Sequence, residues 1–241
     1  MELKIHGSSS AGNCYVLENN NEALLIEAGL PYKIISELID FNYSKFVGCL
    51  ISHRHGDHAV ATPKIQNVVD VFANKDTINK WRLNKANEIE SGKAFRVGGF
   101  TILPFNAVHD VPCMGFFISH EDMGKLVFIT DSAYVNYNFA GVNHLMIECN
   151  YTAKELYKSI NDGITPSFQS ERIKSTHMEL METIDVVKDN TSDELNNVIL
   201  LHLSERNSAE VEILDTFRSV LGIEPIIAVP NLNIKLTKNI F

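Results

Sequence analysis

The chain has 241 residues, 45% of them hydrophobic, with 30 acidic and 21 basic side chains and a net charge of −9 at pH 7. This length and hydrophobic content predict one domain over residues 1–241, since no linker, low-complexity tract or internal repeat divides the chain. An acidic chain without a Lys/Arg cluster argues mildly against a long nucleic-acid partner, because polynucleotide binding depends on neutralising phosphates.

Apolar and β-rich segments predict the secondary structure in chain order. Strands are predicted at 2–6, 14–18, 23–27, 46–52, 69–72, 95–97, 100–108, 114–119, 125–130, 145–149, 225–229 and 233–237. Helices are predicted from Pro31, from Thr152 with Glu155 in a capping box, over 178–188, and from Ser208 to Gly222. Since strands lead and helices follow in each half, we predict an α/β fold of two sheets packed face to face with helices outside.

Targeting signals and redox motifs are absent from the sequence. No apolar run approaches the roughly 18 residues that span a bilayer, and no basic leader precedes an apolar segment. We therefore predict a soluble, cytoplasmic protein without a membrane partner. The four cysteines, Cys14, Cys49, Cys113 and Cys149, are widely separated, form no Cys-x-x-Cys pair and are predicted to be buried, reduced thiols.

The run from Ser52 to His58, Ser-His-Arg-His-Gly-Asp-His, follows the predicted buried strand 46–52 and carries four metal-binding side chains. His53 and His55 project to the same side of an extended chain, so two imidazoles can reach one ion. Asp57 and His58 lie past the Gly56 turn and can serve a second ion. Imidazole nitrogen and carboxylate oxygen are donors that zinc and similar ions accept, so the spacing predicts a metal centre.

This His-x-His-x-Asp-His pattern resembles the signature of the metallo-β-lactamase superfamily. Farther along the chain, His109, Asp131 and His202 resemble the third histidine, the bridging carboxylate and the last histidine of that superfamily. The resemblance implies a four-layer αββα sandwich and two divalent ions, with zinc as the first choice and manganese as the alternative. It also implies the ligands: His53, His55 and His109 for one ion, Asp57, His58 and His202 for the other, and Asp131 between them.

Two further acids are candidates to orient these ligands. The superfamily usually has an Asp after its second or third strand, where this chain offers Glu27. We expect Glu27 to orient a ligand histidine from outside the donor set. Glu148 lies in a segment that resembles the YycJ-type branch of the superfamily, and it is a candidate to orient His177 or another histidine.

A two-ion centre predicts hydrolysis, because such ions activate water and polarise a carbonyl or phosphoryl oxygen. Two-metal β-lactamases tend to carry a Cys where this chain has Asp131, which disfavours a lactam substrate. Asp57 is assigned as a ligand and as a candidate proton acceptor. The segment around His177 resembles the histidine loop of phosphodiesterases such as ribonuclease Z. His177 is therefore a candidate to bind the phosphate or protonate the leaving oxygen; the alternative is a helix-cap neighbour without chemistry.

The Ser/Gly-rich segment Gly7 to Asn13 resembles a loop of the YycJ-type proteins. Its small side chains and backbone N–H groups can line a phosphate, so Ser10 and Asn13 are candidate substrate contacts. The alternative is a plain turn between two strands.

Three hypotheses for the activity remain. The first is hydrolysis of a small phosphodiester, above all a cyclic mononucleotide, because the layout resembles a compact phage-type group that includes the anti-Pycsar enzymes. A phage-encoded enzyme of this kind would act in the host cytoplasm. The second is a DNA or RNA nuclease of the YycJ or ribonuclease Z type. The third is a glyoxalase II-like thioesterase or a non-catalytic metal-binding module. Dimers are common in this group, so a homodimer is an option.

Overall fold

Neighbouring side chains of the central strand Phe46–Ile51 pack into two different apolar clusters. The computed structural model describes residues 1–238 of the chain. Leu50 packs into a cluster between two sheets, whereas Cys49 and Ile51 pack on the outer side of the first sheet. Because successive strand side chains point to opposite faces, a strand that is apolar on both faces belongs to a middle layer.

Two sheets and two sets of helices make up the described chain. The strands are β1 (Glu2–Gly7), β2 (Cys14–Glu18), β3 (Ala23–Ile26), β4 (Phe46–Ile51), β5 (Val71–Ala73), β6 (Asn87–Glu88), β7 (Phe95–Val97), β8 (Phe100–Ala107), β9 (Cys113–His120), β10 (Gly124–Ile129), β11 (His144–Glu148), β12 (Asn197–Leu201), β13 (Ile226–Ile227) and β14 (Leu232–Lys235). The helices are α1 (Tyr32–Leu38), α2 (Gly56–Ala59), α3 (Thr62–Ile65), α4 (Lys75–Trp81), α5 (Ala153–Asn161), α6 (Ser167–Thr176), α7 (Leu180–Asn190) and α8 (Glu210–Leu221).

The strand order brings the ends of several strands to one edge. The first sheet runs β14-β1-β2-β3-β4-β5-β6 and the second β13-β12-β11-β10-β9-β8-β7. Strands β3, β4 and β5 are parallel, as are β10, β11 and β12, so the carboxyl ends of each trio lie together. Ile35 of α1 and Ile65 of α3 cover the first sheet, and Ile184 of α7 and Phe217 of α8 cover the second. These layers confirm the predicted αββα sandwich.

The predicted elements agree with the structure except where the apolar pattern is weak. Strand 69–72 is observed as Val71–Ala73, because the Val69 N–H bonds to the Ile65 carbonyl in the turn after α3. Helices α2, α3, α4 and α6 and strand β6 are not predicted. Helix α6 buries Ser170 and Thr176 but no large apolar side chain, so its sequence has no apolar period.

Two predicted helix ends are confirmed. The Thr152 hydroxyl accepts a hydrogen bond from the Glu155 N–H at 3.2 Å at the start of α5, and Gly222 ends α8 with φ of +67°. All four cysteines are buried and free, as predicted. Within residues 1–238, no helix combines the length and apolar character that crossing a bilayer requires. The last three residues of the predicted domain, 239–241, lie outside the described residues.

His144, at the start of β11, links stability to pH. Its Nε2 lies 3.1 Å from the Met123 carbonyl and its Nδ1 lies 2.9 Å from the Asn197 amide, and burial lowers its pKa to about 4. The folded pKa of His144 lies below its unfolded value. The contribution of His144 to the free energy of unfolding is therefore fully present above about pH 6.5 and is lost as the pH falls towards 4. We expect this histidine to account for about 2 kcal/mol of lost unfolding free energy between pH 7 and pH 5.

Urea unfolding of the wild-type protein and of His144→Gln at both pH values measures this contribution. The glutamine variant keeps hydrogen-bonding groups but does not titrate. All other histidines are common to both proteins, so their contributions cancel in the difference between the two pH slopes. Equal slopes for the two proteins would show that His144 does not contribute.

Candidate metal centre

The predicted ligands meet at the edge where strands of both sheets end. His53 follows β4, Asp131 follows β10 and His202 follows β12. Asp131 and His202 have φ of +40° and +55°, and Glu27, directly after β3, has φ of +63°. A left-handed conformation costs a non-glycine residue roughly 1–2 kcal/mol, so the surrounding structure must hold these three residues in place. The backbone therefore turns sharply at Glu27, Asp131 and His202, where their side chains are directed into the site.

Four donor atoms form a first set. His55 Nδ1 lies 3.0 Å from His53 Nε2 and 3.2 Å from His109 Nε2. Asp131 Oδ2 lies 3.7 Å from His53 Nε2 and 3.6 Å from His109 Nε2. The structure thus brings together these four predicted ligands from three separate parts of the chain.

A second set of donor atoms uses the other oxygen of Asp131. His58 Nε2 lies 3.5 Å from Asp57 Oδ2 and 3.5 Å from Asp131 Oδ1. His202 Nε2 lies 3.6 Å from Asp57 Oδ2 and 3.8 Å from Asp131 Oδ1. Asp131 therefore stands between the two sets, the position that the family resemblance implies for a bridging carboxylate.

Both sets fit a divalent ion. Tetrahedral coordination with ligand distances near 2.1 Å places neighbouring donors about 3.4 Å apart, which is close to the observed separations. The buried His202 Nε2 has no hydrogen-bond partner among the described residues, and a buried polar atom without a partner is costly unless something else binds it. Geometry and donor chemistry thus agree on two cation sites.

The electrostatics favour positive charge at this position. Burial opposes charge on His202, but attraction to Asp131 outweighs burial and raises the pKa of His202 to about 10. Burial would raise the pKa of Asp131, but attraction from His202 and His58 holds that pKa well below its ordinary value. Burial and repulsion from His58 hold the pKa of His53 well below normal, so His53 is neutral with a free lone pair. The field that attracts protons to His202 also attracts cations.

Partners outside the donor sets fix the orientation of the ligand rings. His109 Nδ1 lies 2.8 Å from the Thr176 carbonyl, so the N–H donates there and Nε2 is left for a metal. His53 Nδ1 lies 2.9 Å from the Ser52 hydroxyl. Glu27 Oε2 lies 3.5 Å from His58 Nδ1, which makes His58 the histidine that Glu27 faces. The sequence predicts a role of this kind for Glu27 but does not identify its partner.

His177 and Glu148 form a pair beside both donor sets. His177 lies between α6 and α7, and its Nδ1 is 2.7 Å from Glu148 Oε1. The His177 ring lies 5.5 Å from the His109 ring and 5.6 Å from the His202 ring, measured between centroids. Burial would lower the pKa of His177, but attraction to Glu148 raises it. The other carboxylate oxygen, Oε2, accepts the Ser132 and Met178 N–H groups, so Glu148 is a rigid acceptor for this imidazole.

Residues of the Ser/Gly segment between β1 and β2 form hydrogen bonds with the predicted metal ligands. Asn13 is completely buried, and its amide contacts the Asp57 carbonyl at 3.2 Å and His58 Nε2 at 3.1 Å. These contacts support Asp57 and His58, and a contact of Asn13 with the substrate stays a prediction. Ser8, which the sequence does not single out, accepts the His202 N–H at 3.0 Å. Ser10 is exposed, and its contact with the substrate stays a prediction.

The sandwich and its two donor sets define a metal-dependent hydrolase. Residues 42–202 match the family model described as the beta-lactamase superfamily domain. The chain belongs to this family, which confirms the resemblance predicted from the histidine motif.

Named relatives and solved structures agree with this assignment. Over 227 residues the chain is 26% identical to the exodeoxyribonuclease WalJ of Streptococcus pneumoniae, covering 86% of this chain and 83% of that protein. It is 26% identical to the exodeoxyribonuclease YycJ of Bacillus anthracis, with 86% and 84% covered. The metallo-beta-lactamase fold protein YhfI of Bacillus subtilis superimposes with a TM-score of 0.76 at 18% identity, covering 97% of this chain and 99% of that one. YhfI shares the fold.

Proposed function

We propose that this chain is a two-metal phosphodiesterase that degrades DNA from an end. The observation that carries the proposal is Asp131, whose two oxygens each complete a separate set of nitrogen and oxygen donors, beside the His177–Glu148 pair. The two exodeoxyribonuclease relatives support DNA as the substrate. Zinc is the proposed native ion and manganese the alternative, because both accept this mixture of donors.

Divalent ions held by the two donor sets would supply an activated water at neutral pH and would neutralise charge on the phosphoryl group. The chain itself supplies the placement. His53, His55 and His109 hold one site and His58 and His202 the other, while Asp57 and Asp131 contribute carboxylate charge to the sites. The role of Asp57 as proton acceptor remains a further prediction, since its Oδ2 faces His58 and His202 within the second set.

His177 is the proposed proton donor to the leaving oxygen. Its Nδ1 is bound by Glu148, so Nε2 is the nitrogen that is free to face a substrate. The His177 side chain is 18% accessible, and its ring lies close to the rings of His109 and His202. A phosphodiester needs a proton on its leaving oxygen when the bond breaks, and a positioned imidazole supplies it.

The two exodeoxyribonuclease relatives favour DNA over a cyclic mononucleotide as the substrate. The acidic charge and the small size of the chain favour a cyclic mononucleotide. The charge argument is weak at the site itself, because bound cations make the local field positive. Cyclic nucleotide hydrolysis is the competing outcome of the substrate test.

A substrate panel tests the proposal. The purified protein is assayed with zinc or manganese on linear single-stranded and double-stranded DNA, closed circular DNA, RNA, cyclic mononucleotides, a thioester and a lactam. We expect linear DNA to be degraded to mononucleotides and closed circular DNA to stay intact, because an exonuclease needs an end. Activity should fall steeply with added salt, as expected for a polyanionic substrate.

An Asp131→Ala preparation, purified in parallel, controls for contaminating nucleases. Faster turnover of cyclic mononucleotides than of linear DNA would overturn the proposed substrate and support the cyclic-nucleotide hypothesis instead. Cleavage of closed circular DNA would contradict action from an end.

A further inference from the structure

Helix α6 contacts the metal centre through an ion pair that the proposed chemistry does not use. Arg172, in the middle of α6, places Nη2 3.0 Å from Asp110 Oδ2. The other oxygen of Asp110, Oδ1, lies 3.2 Å from His109 Nε2 and 3.5 Å from His55 Nε2. A single carboxylate thus joins the guanidinium of α6 to two imidazoles of the first donor set.

Asp110 lies beside this donor set in an open cleft. A cleft of about 500 Å³ opens here, and its lining includes His109, Asp110 and Asn74. The ion pair is exposed, with 61% of the Arg172 side chain accessible, and such pairs contribute little to stability. An incoming anion can therefore exchange with Asp110 at low cost.

We propose that Arg172 binds a phosphate of the substrate next to the first donor set, and that Asp110 takes the place of this phosphate while no substrate is bound. This inference rests on the proposed phosphodiesterase function. Carboxylates and phosphates both form paired hydrogen bonds with a guanidinium, and two oxygens of either group can bridge the same partners. When the substrate binds, its phosphate replaces the Asp110 carboxylate as the partner of Arg172 and lies near His109. Asp110 then turns towards solvent.

An aromatic side chain beside Arg172 suits the rest of a nucleotide. Phe168 lies four residues before Arg172 on α6 and is 78% exposed. Residues at this spacing are neighbours on one helix face. Every nucleobase has a face that stacks on an aromatic ring, independent of sequence. The face of α6 formed by Phe168 and Arg172 thus fits one nucleotide, with its phosphate on Arg172 and its base on Phe168.

Variants of α6 test the phosphate contact with two readouts. The first is the Kd of inorganic phosphate for the metal-loaded protein by calorimetry, and the second is KM and kcat for a single-stranded oligonucleotide. Arg172→Gln should raise Kd and KM about 10- to 100-fold, the change that loss of a charge-assisted hydrogen bond gives, with little change in kcat. Lys174→Gln is the matched control, because it removes the same charge from an exposed position on the same helix.

The base contact is tested in the same way. Phe168→Ala should raise KM for the oligonucleotide several-fold and leave Kd for inorganic phosphate unchanged. Phe41→Ala is the control, since Phe41 is 66% exposed and precedes the start of β4, at the end of that strand opposite the metal centre.

Asp110→Asn separates phosphate exchange from a merely structural role. If Asp110 occupies the phosphate position, the variant should bind phosphate more tightly, opposite in direction to Arg172→Gln. If the pair only anchors α6, both variants should weaken binding and lower the melting temperature together, which would overturn the proposal. Metal content is measured for each variant. If Asp110→Asn loses metal, the comparison of Arg172→Gln with Lys174→Gln alone tests whether Arg172 binds the phosphate.

Two results distinguish this inference from the proposed function. If Kd for phosphate and KM for the oligonucleotide of Arg172→Gln lie within twofold of those of Lys174→Gln, the phosphate contact is refuted. The proposed phosphodiesterase function is not affected by that result. A wild-type protein that binds metal but hydrolyses no phosphodiester would instead refute the proposed function.

Discussion

Asp131→Ala should lose both metal ions and at least about 1,000-fold in turnover, because two-metal catalysis contributes several kcal/mol of transition-state stabilisation. Each oxygen of Asp131 belongs to a different donor set, so removing this side chain opens both sets at once. It also removes the carboxylate charge that offsets four neighbouring imidazoles. Metal content after dialysis, measured by elemental analysis, and turnover of the best substrate in the panel check the prediction.

Two further variants make this result interpretable. Asp131→Asn keeps the size of the side chain and should lose most of the activity in a folded protein. Asp122→Ala removes an exposed carboxylate just before the first residue of β10, whereas Asp131 follows the last residue of that strand. This variant should keep the metal content and the turnover rate of the wild type. Two tightly held ions in Asp131→Ala would contradict the bridging role.

His177→Ala should lower kcat by about 100- to 10,000-fold, the usual contribution of a positioned general acid, and should leave the metal content unchanged. The reason is the position of the ring, beside both donor sets but bound through Nδ1 to Glu148 instead of to a ligand atom. Steady-state kinetics and elemental analysis on the same preparation separate the two effects. Added imidazole should restore part of the activity, since it can occupy the space that the side chain leaves.

The control for this variant is His120→Ala. His120 ends β9, whereas Cys113 at the start of that strand lies 3.6 Å from His53, so His120 is about 24 Å from the metal centre along the strand. Its loss should leave kcat within about twofold of the wild type, as expected for a position away from the chemistry. Loss of metal from His177→Ala would show that His177 is a ligand and not a proton donor.

Much of the fold and most of the metal centre can be predicted from the sequence, because their signals are local. Apolar runs such as Phe46–Ile51 are typical of buried strands, and polar residues directly after them predict a site at the strand ends. His53, His55, Asp57 and His58 lie within six residues, so their spacing alone indicates a metal. His109, Asp131 and His202 are added only by resemblance to a family, because nothing local relates them to the first four.

The parts that the sequence does not predict depend on long-range contacts. Helix α6 lacks an apolar period, yet the Thr176 carbonyl at its end orients His109. Arg172 and Asp110 are 62 residues apart, and neither belongs to a recognisable motif. The sequence does not predict the contacts of Asn13 with Asp57 and His58, because a Ser/Gly loop offers the same residue types whether it lines a substrate or supports metal ligands. Burial decides between these roles, and sequence composition does not report burial.

Crystals grown with zinc or manganese, with anomalous diffraction recorded at the absorption edge of the metal, test the central claim most directly. We expect two peaks, one within about 2.3 Å of the ring nitrogens of His53, His55 and His109, and one at a similar distance from His58 and His202, with Asp131 between the two. A single peak, peaks at other positions or no peak in metal-saturated crystals would contradict the two-metal centre and the hydrolytic chemistry that depends on it.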